Sequence, residues 1–106
     1  MGRTITVSEL SKAGEEVVLL DVRRKEDFDG HVIPNAEWHD PEQVDEWAEG
    51  IPQDKEVVLY CVRGGSVSNK VLDSLLKKKI RARYIEGGVE AWEKSGGKLT
   101  GAAAVA

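Results

Sequence analysis

The 106-residue sequence is short of several things, and each shortage excludes a class of protein. It has one cysteine, Cys61, so no internal disulfide can form and any role of that sulfur is the role of a free thiol. Its two histidines, His31 and His39, lie far from Cys61 in the sequence and do not make the clustered spacing of a zinc site. No apolar run approaches the roughly 20 residues that cross a bilayer. The start Met1-Gly2-Arg3-Thr4 carries one charge with no hydrophobic segment behind it, so the expected location is cytoplasmic, with no membrane partner. Cationic surplus is lacking too. With 15 Lys and Arg against 19 Asp and Glu, the net charge of −4 argues against nucleic acid as a partner. The one basic run, Lys77-Lys78-Lys79, falls where a helix should end and reads as solvated charge favoured by the helix dipole.

What is present suits an ordinary globular domain: 41% hydrophobic and 32% charged residues, in a chain long enough for one core. The expected organisation is a single domain over 1–100 and a loosely ordered tail over 101–106, Gly-Ala-Ala-Ala-Val-Ala. Short strand-like runs alternate with longer helix-like ones, which predicts an α/β fold. A mostly parallel central sheet of about four to five strands would be flanked by helices on both faces. Thr4 to Val7 reads as a first strand, with Ser8 capping a helix from Glu9 to Ala13. Val17 to Leu20 is a doubly covered strand ending at Asp21, and Arg24 to Phe28 reads as a short helix. Gly30 to Asn35 reads as loop. Asp40-Pro41-Glu42-Gln43 predicts a capped helix start with a capping box, and Val44, Trp47 and Ala48 form that helix's apolar stripe. Glu56 to Tyr60 and Ala82 to Ile85 are further strands. Between them Val67, Val71, Leu72, Leu75 and Leu76 mark the longest helix, Ser66 to Lys78. Gly87-Gly88 turns into a last helix, Val89 to Lys94, carrying Trp92. Trp38, Trp47 and Trp92 are expected to pack in or beside the core.

Cys61 therefore closes a buried strand just before the longest helix. In open α/β sheets this carboxyl edge is where ligands bind. The intervening Val62-Arg63-Gly64-Gly65-Ser66 holds two glycines, so its backbone is free to curl with N–H groups inward and, with the helix N-terminus, to cradle an anion. Such a nest favours a thiolate over a thiol. The competing reading is a small buried core residue beside a glycine turn.

Three segments resemble those of single-domain rhodaneses, which are sulfurtransferases. They are Leu20-Asp21-Val22-Arg23 with Asp27-Phe28 and Ile33-Pro34-Asn35-Ala36; Tyr60-Cys61-Val62-Arg63-Gly64; and Tyr84-Ile85-Glu86-Gly87-Gly88-Val89-Glu90-Ala91-Trp92. They occur in the family's order and spacing. Residues 36–42 and 44–48, with Cys61-Val62-Arg63-Gly64 and Val67-Ser68, are similar more narrowly to rhodaneses associated with chromate resistance. Departures are Asn35 for the usual glycine, Gly30-His31 placed one residue early, Ser66 where many relatives have arginine, and Gly65 where the chromate type tends to have histidine.

The resemblance implies that Cys61 takes a sulfane sulfur from a donor such as thiosulfate, holds it as a persulfide and passes it to cyanide or a thiol. The partners would be small sulfur-containing anions and thiol acceptors, with no cofactor and no metal. Val62, Arg63, Gly64, Gly65 and Ser66 would form the substrate-binding loop, Arg63 collecting an anionic donor or standing as a rim charge, Ser66 donating its hydroxyl or capping the helix. Asp21 and Arg23 would be structural supports, Arg23 pairing with Asp27. His31 and His39 are read as surface residues, since a preformed thiolate needs no base. Two rivals share the fold. A phosphatase or arsenate reductase would need arginine six residues after the cysteine, where Val67 stands. A non-catalytic rhodanese-like binding or regulatory module usually lacks the cysteine.

Overall fold

A computed structural model describes residues 3–13 and 16–101. In chain order the elements are β1 (Thr4–Ile5), α1 (Val7–Ala13), β2 (Val17–Asp21), β3 (His31–Val32), β4 (Glu37–Trp38), α2 (Val44–Trp47) between two 3₁₀ turns (Pro41–Gln43 and Ala48–Gly50), β5 (Glu56–Tyr60), α3 (Ser66–Lys77), β6 (Ala82–Ile85), α4 (Gly88–Lys94) and β7 (Thr100–Gly101). Five strands form one sheet in the order β1-β6-β5-β2-β4, every neighbouring pair parallel. A separate antiparallel ribbon joins β3 to β7, His31 opposite Gly101 and Val32 opposite Thr100.

Parallel strands need crossovers, and here the crossovers cover both faces. Alternation along β5 sends Val57 and Leu59 into a cluster with Leu20, Ala48, Val71, Leu72 and Leu75, the side of α2 and α3. Val58 and Tyr60 enter the opposite cluster with Ile5, Leu10, Leu19, Ile85 and Val89, the side of α1 and α4. Each such side chain contributes about 1.5–3 kcal/mol by leaving water. The expected fold class is the observed one.

Local expectations changed at several points. The first strand stops at Ile5 because Thr6, not Ser8, begins α1: Thr6 Oγ1 accepts from Glu9 N at 3.1 Å, and Glu9 Oε1 accepts from Thr6 N at 2.9 Å. Thr6-x-x-Glu9 is a capping box, and it draws the start of the helix back to Val7. No helix forms over Arg24–Phe28. That stretch is a turn, with Asp27 N and Phe28 N both donating to Arg24 O. After Asp40, whose side chain accepts from Glu42 N, the chain makes only 3₁₀ and one α turn, because Gln43 leaves helical geometry at φ −113 and ψ 26.

The Gly30–Asn35 stretch contains β3 and then a tight turn, Ala36 N donating to Ile33 O at 2.9 Å around Pro34 and Asn35. Asn35 has φ +75, which explains both the usual glycine there and the tolerance of asparagine. Of the expected tail, Gly101 pairs in β7, and residues 102–106 lie outside the described residues. The three tryptophans are half-buried, each indole N–H donating to a backbone carbonyl: Trp38 to Arg23, Trp47 to Asp40, Trp92 to Lys98. No helix of the described residues is long and apolar enough to cross a membrane.

Candidate active site

Parallel register aligns the carboxyl ends of β2 and β5, placing Asp21 beside Tyr60. Cys61 follows immediately and is 4% exposed. Strand alternation turns its side chain toward α3, and there Ser68 Oγ donates to Cys61 Sγ at 3.0 Å with both groups buried. Above the sulfur opens a pocket of about 370 Å³ lined by Arg23, Arg24, Asp27 and five residues of the stretch Val62–Val67. Of the expected loop, Val62, Arg63, Gly65 and Ser66 reach the pocket wall.

Gly64 works from behind. It has φ +73, and a Cβ added there would stand 3.0 Å from Ile85 O and 3.1 Å from Gly87 N, so the loop is pressed onto the β6–α4 turn. Gly88, with φ +61, takes the close approach from the other side: its Cβ would lie 2.5 Å from Cys61 O. The first amides of α4 hold those carbonyls, Val89 N donating to Cys61 O at 2.9 Å and Glu90 N to Val62 O at 3.2 Å. With the carbonyls drawn backward, the amides of Arg63, Gly64 and Gly65 have no backbone acceptor among the described residues. The first-turn amides of α3 add to them, because helix geometry leaves those without intrahelical partners. The loop thus has N–H groups free to bind negative charge, and it leads directly into the positive end of a 12-residue helix.

Ser66 does not cap α3. Gly65, which has no side chain to cap the helix, holds the cap position with its carbonyl accepting from Asn69 Nδ2 at 3.1 Å, and Ser66 is the first helical residue with its exposed side chain on the pocket wall. Arg63 is a rim charge, 78% exposed, and its Nε donates to Glu90 Oε2 at 2.8 Å. That bond raises the arginine's pKa and lowers the glutamate's. Arg24, exposed on the pocket wall, has no ion-pair partner among the described residues. It also lines a second groove of about 650 Å³, which runs along α3 past Lys70 to Glu42 and Asp45. Sequence reasoning overlooked Arg24 because it was assigned to a helix that does not form.

The early loop over the site is fastened by Asp21 and Arg23, though not as expected. Arg23 pairs with Asp21 rather than Asp27, its Nε donating to Oδ2 at 2.9 Å and its Nη2 at 2.5 Å. Asp27 is exposed in the turn, and Arg23's second carboxylate is Asp29 at 3.7 Å. Arg23 Nη2 also donates to His31 O, and its guanidinium lies 5.3 Å from the Phe28 ring, which stacks on Trp38. Burial draws the Arg23 pKa down, but the bonds to Asp21 outweigh it and the net shift is upward. Tyr60 ties the loop from below, its hydroxyl accepting from Ile33 N at 2.9 Å. Burial, then the charge of Asp21, pushes the Tyr60 hydroxyl pKa up, so it remains a neutral phenol.

His31 and His39 stand apart from the sulfur's pocket. His31 lies near Asp29, and His39 near Glu37 and tilted on Trp47. Among the described residues no three His, Cys, Asp or Glu side chains are grouped to hold a metal ion.

Residues 6–95 match the family described as the rhodanese-like domain. A Bacillus subtilis (strain 168) protein named "Putative sulfurtransferase YtwF" is 34% identical over 90 residues, covering 85% of this chain and 86% of that one. An Allochromatium vinosum sulfurtransferase is 30% identical over 77% of each chain. Among solved structures, a rhodanese-related protein from Thermoplasma volcanium superposes with a TM-score of 0.83 at 21% identity, over 92% of this chain and 97% of that one. A rhodanese-like domain protein from Staphylococcus aureus gives 0.78 at 28%, over 94% and 99%.

Proposed function

This chain belongs to the rhodanese-like domain family, and from that membership we propose that it is a sulfurtransferase using Cys61 as a persulfide carrier. The observation that carries the reading is the position of Cys61 at the carboxyl edge of the sheet, lining a pocket with Val62, Arg63, Gly65 and Ser66, in a loop whose amides at 63–65 have no backbone acceptor among the described residues. Relatives named as sulfurtransferases support the reaction class.

In the first half-reaction the Cys61 thiolate attacks the outer sulfur of thiosulfate. A bond forms from Sγ to that sulfur as its bond to the sulfonate sulfur breaks, and sulfite leaves with the electron pair. In the second, cyanide or a thiolate attacks the outer sulfur and the electron pair of the Sγ–S bond returns to Sγ. Negative charge sits on sulfur at each stage. The amides of Arg63 to Ser66 and the α3 N-terminus are fixed in advance around it. Arg24 and Arg63, both lining the pocket, attract the anionic donor.

The narrower likeness to the chromate-resistance type draws on Trp38, Trp47 and Ser68, which hold backbone carbonyls or the sulfur itself. On this reading those residues fix the site's geometry, while Gly65, open on its Cβ side, widens the pocket where that type carries histidine.

Intact mass after incubation with thiosulfate or polysulfide tests the reaction. One added sulfur atom is expected on the wild type and none on Cys61→Ser, and cyanide should remove it. A mass unchanged by both donors overturns the reading in favour of a non-catalytic module. Turnover of a phosphate ester with no sulfur uptake would favour the phosphatase.

A further inference from the structure

Ser68 is fully buried, in the row Ser68, Val71, Leu72, Leu75 by which α3 packs on the sheet. A hydroxyl in such a row is costly unless bonded. Helical serines commonly satisfy themselves on the carbonyl four residues back. Two in this chain do so: Ser11 Oγ donates to Val7 O at 3.1 Å and Ser74 Oγ to Lys70 O at 3.3 Å. Ser68 does not. Four residues before it stands Gly64, in the loop, and its hydroxyl instead donates to Cys61 Sγ at 3.0 Å. A thiol sulfur accepts hydrogen bonds weakly. An anionic sulfur accepts them strongly.

We propose that Ser68 is a positioning residue for the sulfur transfer, its hydroxyl binding Cys61 Sγ from the buried side and favouring every state in which that sulfur is negative. This rests on the sulfurtransferase reading. The bond has opposite consequences in the two half-reactions. During loading, charge leaves Sγ, so the hydroxyl enlarges the reactive thiolate fraction without assisting the attack itself. During discharge the acceptor's nucleophilic atom bonds to the outer sulfur, the Sγ–S bond breaks and its electron pair returns to Sγ. Ser68 then donates to the leaving group as its charge develops, and its proton stays on oxygen. Only interactions stronger in the transition state than in the ground state accelerate a step, and in discharge this bond is one of them. Ser68 thus serves the inner sulfur, Sγ, to which its hydroxyl is bonded.

The test compares wild type with Ser68→Ala, which removes the hydroxyl with little change of volume, and Ser68→Thr, which keeps it. Each protein is loaded with polysulfide, and discharge to cyanide is followed in single turnover at one alkaline pH common to all three. The alkylation rate of the unloaded proteins is measured against pH, and thermal unfolding alongside. Discharge by Ser68→Ala is expected to slow roughly ten-fold, the worth of a hydrogen bond to a charged group. Its alkylation profile should move to higher pH at an unfolding midpoint near wild type, and Ser68→Thr should recover at least part of both. Discharge and alkylation at wild-type rates in Ser68→Ala overturn the proposal, as does a loss that only tracks lowered thermal stability. A wild type that never acquires sulfur defeats the sulfurtransferase reading instead. The alkylation profiles then still decide whether the hydroxyl favours the anionic sulfur.

Discussion

Arg23 is bonded to Asp21, two residues away, through a fork of three buried hydrogen bonds, and Arg23 itself lines the pocket at the sulfur. Removing one member of a buried pair leaves the other charged and uncompensated. Arg23→Ala and Asp21→Ala are therefore each expected to lose about 3–5 kcal/mol of stability in urea unfolding. Asp27→Ala, at the exposed residue expected from sequence to hold the arginine, should change it by less than about 0.5 kcal/mol. A large effect at Asp27 would contradict the pairing.

Gly88 and Gly65 form a matched contrast. An alanine at 88 would put its Cβ 2.5 Å from Cys61 O and 2.6 Å from Val62 O, at a φ of +61. Gly88→Ala should push the loop off α4, lowering sulfur transfer at least ten-fold and stability by about 2 kcal/mol. Gly65 has no atom within 4 Å of its Cβ position and no positive φ. Gly65→Ala should fold as well as wild type, so any change in its donor preference reports on pocket space. Kinetics with thiosulfate and thermal unfolding of the two variants check the pair.

Glu90 holds Arg63, the residue that on the proposed reading collects the anionic donor. Bonded to that guanidinium, its carboxyl is held below the ordinary glutamate range. The pair is therefore complete above the ordinary glutamate pKa and is lost only as pH falls through the lowered value in the folded protein. Near neutrality Arg63 is thus occupied. Glu90→Gln should lower KM for thiosulfate about two- to five-fold with kcat unchanged, in keeping with the modest worth of exposed pairs. The difference should shrink in acid, as the wild-type carboxyl protonates, and at high salt. Steady-state kinetics at several pH values and ionic strengths measure this.

Helix α3 ends in a Schellman arrangement, Lys79 N donating to Leu76 O and Ile80 N to Leu75 O. The residue in the left-handed position is Lys79, with φ +63. Glycine adopts that conformation without the Cβ penalty. Lys79→Gly is expected to stabilise the protein by about 0.5–1 kcal/mol. Denaturant midpoints decide it, and a lower midpoint would show that the lysine side chain outweighs its backbone strain.

The long elements were legible because their patterns are long. Val57-Val58-Leu59 between Glu56 and Tyr60 admits few readings other than a doubly covered strand, and that strand carries Cys61 to the sheet's carboxyl edge. Two-residue strands such as Glu37–Trp38 and His31–Val32 are shorter than any period and exist through their partners. Arg23's partner was hidden for a related reason: the choice among Asp21, Asp27 and Asp29 is made by a turn that sequence reads equally well as a helix. On α3 the apolar stripe was drawn through Leu76, which is 44% exposed. The buried row runs instead through Ser68, Val71, Leu72 and Leu75. A serine at an i, i+3, i+4, i+7 core position was the signal available for Ser68, and the apolar Val67 and Leu76 outside the true row obscured it.

The crossover topology also governs when the thiol acquires its surroundings. Leu20 pairs with Leu59 across 39 positions of sequence, and Thr4 with Tyr84 across 80. Such distant pairings form slowly, since loop entropy is lost before contacts are gained. The carbonyls of Cys61 and Val62 are held by the amides of Val89 and Glu90, each 28 residues further along. On a ribosome Cys61 therefore emerges before the residues that hold the carbonyls of its loop. Ordering of the loop around Cys61 is thereby coupled to the docking of α4.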